Sequence, residues 1–276
     1  MKRAREDIID GIDGSVATPS SSSRWATDDE IVDVEASYHY CLKYLNLARF
    51  NGVFINQIYS ILSNRTFVDS CVCELIESMR FKLFSCQEYG LNDQVIIDTL
   101  SYQGDVQHYV SALSPEYHAV GERFSHLIAN TVNVSFRREE LKSFSQADID
   151  RLVQVGFLKL RRSTHESSIS YWISHPQLGL AARSIVLARE AIASFLRRRK
   201  YKEIEENILC HLEESFINVN PKRVTKKGEL DKSHGRQFLA SVRVLGIQYH
   251  LLDWLGVGIV VKTRTPSQLC IVRLNT

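Results

Sequence analysis

The stretch FLRRRKYKE, residues 195 to 203, sets five cationic side chains within nine positions. Guanidinium and ammonium groups at this density form charge-assisted hydrogen bonds to phosphate oxygens, and neutralising a phosphate backbone releases its counterions. The chemistry on offer is the binding of a polyanion. The stretch closes the run LGLAARSIVLAREAIASFLRRRK, in which Ile185, Ala188, Ile192, Phe195 and Leu196 fall on one stripe of a 3.6-residue period. Arg183, Glu190 and Arg197 take the opposite side. Arg183 and Arg197 are two heptads apart, roughly 21 Å at about 1.5 Å rise per residue. Arg198 and Lys200 flank that face, whereas the angle of Arg199 returns it toward the apolar stripe, where it must snorkel or the helix must bend. The competing reading is a solvated helix end, because cations favour helix C-termini.

Other cations extend the set. Lys202 follows directly, and the polar segment NPKRVTKKGELDKSHGR, 220 to 236, reads as an exposed basic loop carrying Lys226, Lys227 and Arg236. In IVVKTRT, Lys262 and Arg264 share one strand face while Ile259 and Val261 take the other, so the two cations are expected to point outward. YKEIEENILCHLEESF reads as a helix with Ile204, Ile208, Leu212 and Phe216 at intervals of four. The charge is polarised along the chain: residues 1–35 hold 4 basic and 9 acidic groups, 36–180 hold 13 and 14, and 181–276 hold 17 and 9, a net of +8. The C-terminal third is the candidate anion-binding region.

The elements that must position these cations follow a recurring order. Hydrophobic content of 44% over 276 residues predicts a folded chain of more than one module. Residues 1–33, rich in Ser and acid, read as a disordered tail. Beyond it, a capped amphipathic helix followed by two strand-like runs around a polar turn occurs three times. In the first copy Thr66 with Asp69 reads as a capping box for FVDSCVCELIESM, followed by RFKLFS and QVIIDTL. In the second, Ser145 with Asp148 opens QADIDRLVQV, Gly156 ends it, and FLKLRR and SISYWIS flank STHES. The third has GIQYHLLDWLG with Gly256 and Gly258 as its exit, then IVVKTRT and QLCIVRL. Further helices precede each copy. This is winged-helix order, and the expected fold class is α+β, mainly helical: three tandem winged helices at 34–105, 106–180 and 181–276.

Recognition-helix positions in the third copy offer Gln248, Tyr249 and His250, with no Arg or Asn pair suited to bidentate base contacts, so backbone binding is expected. The first two copies carry Asp69, Glu74 and Glu77, and Asp148 and Asp150, which repel phosphate and suit protein partners. Catalytic signals are missing: there is no G-K-[ST], no G-x-S-x-G and no kinase set of H-R-D, D-F-G and glycine-rich loop. No cofactor or metal is expected, and the six cysteines, with no C-x-x-C pair, read as buried free thiols. The sequence shows no apolar run long enough to span a membrane, and its first residues lack a secretory h-region, so a reducing compartment is expected. PKRVTKK, 221–227, and more weakly KRAR have the composition of nuclear localisation signals.

The stretches INQIYSILSNRTFVDSCVCEL, DIDRLVQVGFLKLRR, AREAIASFLRRRKYKE and VRVLGIQYHLLDWLG, taken in order, resemble the serine/threonine-protein kinase 19 family from about residue 36 to the C-terminus. The resemblance implies a nuclear, non-catalytic tandem winged-helix protein that binds DNA in transcription-coupled nucleotide excision repair, beside stalled RNA polymerase II, Cockayne-syndrome factors and TFIIH. It implies duplex DNA, or RNA, as ligand and a homodimer on DNA as an oligomeric option. Matched by position, DNA-contacting sites fall on Arg183, Arg197 and Arg236, with Arg198 and Lys200 also basic. Arg199 departs from a usually small position, and the loop at 217–236 is longer here. The rival expectation is a winged-helix assembly module whose basic face meets an acidic protein.

Overall fold

A computed structural model describes residues 33–89, 91–112, 117–162, 169–211 and 242–275. The first unit runs α1 (Val34–Leu42), β1 (Gly52–Phe54), α2 (Ile55–Ile61), α3 (Arg65–Glu77), β2 (Phe81–Ser85) and β3 (Gln94–Asp98). The second runs α4 (Thr99–Ser111), α5 (His118–Ala129), β4 (Ser135–Arg137), α6 (Gln146–Val155), β5 (Leu158–Arg162) and β6 (Ile169–Ile173). The third runs α7 (Leu178–Arg197), β7 (Glu203–Glu205), helical residues 206–211, α8 (Ile247–Val257), β8 (Val260–Arg264) and β9 (Cys270–Leu274). Each unit closes an antiparallel three-stranded sheet with the same order: β1-β3-β2, β4-β6-β5 and β7-β9-β8. This is the winged-helix arrangement expected from the sequence. The divisions expected after residues 105 and 180 fall inside α4 and α7.

Local signals explain most boundaries. Ser145 and Asp148 form the reciprocal capping box at the start of α6, and Gly156 takes the left-handed conformation that ends it. The cap of α3 is Asn64, whose side chain accepts the Phe67 N–H at 3.1 Å, two residues before the expected Thr66. Asn competes well for this position, and Thr66 is carried into the first turn. The strands β1, β4 and β7 are three residues each, too short to show a period in sequence. For that reason the expected helix from Tyr201 fails at its start. Ile204 lies on β7, buried and paired with Val272, while Ile208 is exposed and Leu209 is the buried residue of the following turn. The turn at 163–167, the loop at 217–236 and all but Asp33 of the expected tail lie outside the described residues.

Among the described residues three apolar cores result, and α8 feeds all of them. Ile247, Leu251 and Trp254 enter the core of the third unit, Leu252 enters that of the first, and Tyr249 enters the central core shared by all three. A helix apolar on every side has to be enclosed on every side. Here α2 of the first unit supplies the missing wall. Gln57 donates from Nε2 to the Tyr249 carbonyl at 2.8 Å, the Tyr249 hydroxyl donates to the Gly52 carbonyl at 2.6 Å, and Arg65 donates to the Gly256 carbonyl at 2.9 Å.

The crossing of α2 and α8 is possible because residue 256 has no side chain. A Cβ there would stand 1.6 Å from the Asn56 carbonyl oxygen. Gly256 is therefore a contact point inside α8 and not its exit as expected; the left-handed terminator is Gly258. Gly256→Ala is expected to lower thermal stability severely, in the range of about 3 kcal/mol or more, because backbone must move. Gly104→Ala, where a Cβ meets nothing within 4 Å, is expected to leave the melting temperature unchanged or raise it slightly. Parallel thermal melts of the two variants check this.

Candidate nucleic-acid interface

The long helix α7 carries both the core stripe and the cations. Ile185, Ala188, Ile192 and Leu196 are buried, while Arg183, Glu190 and Arg197 are exposed on the other side. The helix ends at Arg197 with Arg198 as its cap, and Arg198, Lys200 and Lys202 are exposed in the turn that follows. The Lys200 ammonium lies 5.0 Å from the centre of the Tyr201 ring. Lys202 holds a left-handed backbone, φ 54°, and its carbonyl accepts the Leu274 N–H at 3.0 Å, which fixes the turn against β9. A non-glycine residue in this conformation persists only where its surroundings enforce it. Arg199 lies back over Phe195, 4.8 Å from the ring centre, and its partial burial lowers its guanidinium pKa. That is the snorkelling its angle predicted.

Arg197 and Lys202 meet at a groove of about 380 Å³ whose apolar floor includes Ala193, Ile259 and Leu274. Arg183 stands two heptads away along α7, and Arg264 is exposed at the far end of β8 from Leu274. Lys262 corrects an expectation. It shares the strand face of buried Val260, and its ammonium pairs with the nearly buried Glu206 at 2.8 Å, whereas Val261 is the exposed neighbour. The expectation fails at Lys262 and Val261, whereas Arg264 is exposed and Ile259 packs against the core as expected. Lys226, Lys227 and Arg236 lie outside the described residues.

The third recognition-position helix is not a reading head. Tyr249 and His250 are fully buried, and Gln248 is half-buried, within the crossing described above. The first and second counterparts remain open: α3 buries Val68 and Val72 and exposes Asp69, Glu74 and Glu77, and α6 buries Ile149 and Leu152 and exposes Asp150. Asp148 is engaged by Arg123 at 3.0 Å.

Arg189, absent from the expected cation set, anchors α7. Its guanidinium reaches Asp253 of α8 through two bonds of 2.8 and 2.6 Å, and Asp93 before β3 at 2.5 Å. Burial alone would lower the Arg189 pKa, but the two carboxylates outweigh it and leave it raised, while burial pushes the Asp253 carboxyl up against the pull of Arg189. Removing Arg189 would leave the fully buried Asp253 carboxylate without its partner, and breaking a buried pair in this way costs about 3–5 kcal/mol. The legible signals were a charge close to an apolar stripe and an Asp inside the apolar run HLLDWLG. With Arg189, Lys262 and Arg273 held by Asp253, Glu206 and Glu203, four of the exposed cations among the described residues of the third unit, Arg197, Arg198, Lys200 and Lys202, stand together at the exit of α7.

Buried thiols were expected; Cys41 and Cys86 are buried, but Cys73 is exposed on α3. Among the described residues no three His, Cys, Asp or Glu side chains converge to hold a metal ion, and no helix is long and apolar enough to cross a membrane.

Burial, and then the nearby charge of Arg189, push His250 down to about 3. The unfolded chain therefore binds a proton that the folded one refuses, so stability is expected to fall as pH drops from about 6.5 toward 3. His250→Phe, which keeps a ring against Trp254, should flatten that slope in denaturant titrations at several pH values.

A family description, inactive serine-threonine protein kinase 19, matches residues 39–274. The chain is 25% identical over 218 residues to human winged helix repair factor 1, covering 78% of this chain and 73% of that protein. The Mus musculus protein of the same name is 24% identical over 77% of this chain and 72% of its own length, and that of Xenopus laevis is 24% identical over 77% and 70%. The matched span begins within α1 and runs to the end of β9, through all three winged-helix units, and the chain belongs to the inactive serine-threonine protein kinase 19 family, which is non-catalytic.

Proposed function

We propose that this chain is a nuclear, non-catalytic DNA-binding repair factor that holds duplex DNA by its phosphates. The observation that carries the reading is the concentration of exposed Arg183, Arg197, Arg198, Lys200 and Lys202 along α7 and its exit, on a unit whose recognition-position helix is buried. Without a helix to place in the major groove, contact falls to side chains suited to phosphate, which position a duplex without reading its sequence. Arg264 on the third wing, and Lys226, Lys227 and Arg236 in the loop, extend the same proposal. The repair setting is supported by the relatives named winged helix repair factor 1. The finer reading is transcription-coupled nucleotide excision repair, in which this chain joins stalled RNA polymerase II and Cockayne-syndrome factors to TFIIH.

Each phosphate contact removed should reduce the slope of log affinity against log salt by about 1 and weaken all sequences alike. Reversing Arg197 to Glu should cost more affinity than Arg197→Ala. A folded variant with Ala at Arg183, Arg197, Arg198 and Lys200 that binds duplex with unchanged affinity and slope in fluorescence anisotropy would place the surface elsewhere.

The exposed acidic side chains of α3 and α6 support a second activity, the holding of protein partners, so two surfaces should separate genetically. A basic-face variant is expected to lose DNA affinity yet co-purify with the polymerase and its repair partners. Reversing Asp69, Glu74 and Glu77 to Lys should do the opposite. Recovery of transcription after ultraviolet damage is expected to be slow in both, and normal recovery with the folded basic-face variant would favour a pure assembly role.

A further inference from the structure

The outer face of the second sheet is cationic and aromatic. Register places Arg137, Ser170 and Arg161 in one row across β4, β6 and β5, and Ser135, Trp172 and Lys159 in the next. Side chains alternate across a strand, and Phe136, Leu158, Tyr171 and Ile173 are buried on the opposite face. Trp172 is half-buried and fixed: its indole N–H donates to the Ser170 hydroxyl at 3.2 Å, and the Arg161 guanidinium sits 4.8 Å from its ring centre. Arg137 and Arg161 are exposed, and the Glu140 carboxylate is held on the Arg137 main-chain N–H at 2.6 Å.

This face adjoins the row on α7. The Lys159 ammonium lies 4.2 Å from the centre of the Tyr89 ring, and the same ring packs against Gly179, where a Cβ would come within 3.0 Å of it. Arg183 is one turn beyond Gly179 on the same side of α7. The Tyr89 ring is thus a common neighbour of the second sheet's outer face and of the Arg183 end of α7.

We propose that the outer face of the second sheet takes a single-stranded segment of nucleic acid continuous with a duplex held on α7, so that the chain engages a duplex with an unpaired tail. The proposal rests on the duplex reading for α7 given above. Phosphates meet Arg137 and Arg161, and an unpaired base stacks on the Trp172 and Arg161 planes. A paired strand hides its base faces, so the aromatic group selects the unpaired one.

The test compares the full chain binding a blunt duplex, the same duplex with an oligothymidine tail, and oligothymidine alone, by fluorescence anisotropy with melting curves for every variant. The tail should tighten binding about fivefold or more, the gain expected from one stacked base. Trp172→Ala, and Arg137→Glu with Arg161→Glu, should abolish the gain while leaving blunt-duplex affinity within about twofold; Trp172→Phe should retain part of it. Arg183→Glu with Arg197→Glu should weaken the blunt duplex, and failure of that arm alone would strike the duplex reading and not the stacking. Equal affinity for tailed and blunt duplex, or a gain that survives both sheet variants, overturns the proposal. So does competition by polyglutamate equal to that by oligothymidine, which would mark the face as a seat for an acidic protein.

Discussion

Between Gly256 and the Asn56 carbonyl there is no room for a methyl group, and that contact sets the relation of the third unit to the first. Because α2 comes so close, α8 can bury residues in three cores at once, and the tandem units share walls. The consequence for function is direct. A winged helix ordinarily presents this helix to DNA, and here it is spent on architecture, so among the described residues the third unit offers DNA the cations of α7, its exit and the wing.

Electrostatics reinforces that division. Arg189, although on the cation-bearing helix, is partly buried between Asp93 and the fully buried Asp253 and ties α7 to α8 and to the first wing. Lys262 and Arg273 are drawn to Glu206 and Glu203. Formal charge overstates the field that a ligand meets; among the described residues, Arg197, Arg198, Lys200 and Lys202 remain exposed where α7 ends. In the second unit the sheet is cationic on its outer face while α6 is acidic, so one small domain presents opposite signs on two sides.

The repeating order of capped helix and paired strands was legible because each copy carries its own punctuation, as Ser145, Asp148 and Gly156 show. The positions of Arg183, Arg197 and Arg198 were legible from helical angle. The side taken by Lys262 was not, since strand parity tells which residues share a face and not which face is covered. β7 was hidden because three residues show no period, and the stripe from Ile204 imitates a helix. The burial of Tyr249 and His250 was hidden for a different reason. It depends on a partner helix about 190 residues earlier in the chain, and only Gly256, read as a stop, recorded the contact.

Hydrogen exchange of the full chain with and without duplex, followed by mass spectrometry, separates a structural α8 from one that meets DNA. If α8 is structural and phosphate is held at the exit of α7, peptides covering 247–257 exchange slowly and equally in both states, and duplex adds protection around 195–203. Rapid exchange across 247–257 in the free protein, slowed by duplex while 195–203 stays unchanged, would make α8 the DNA-binding element and rule out phosphate binding at the exit of α7.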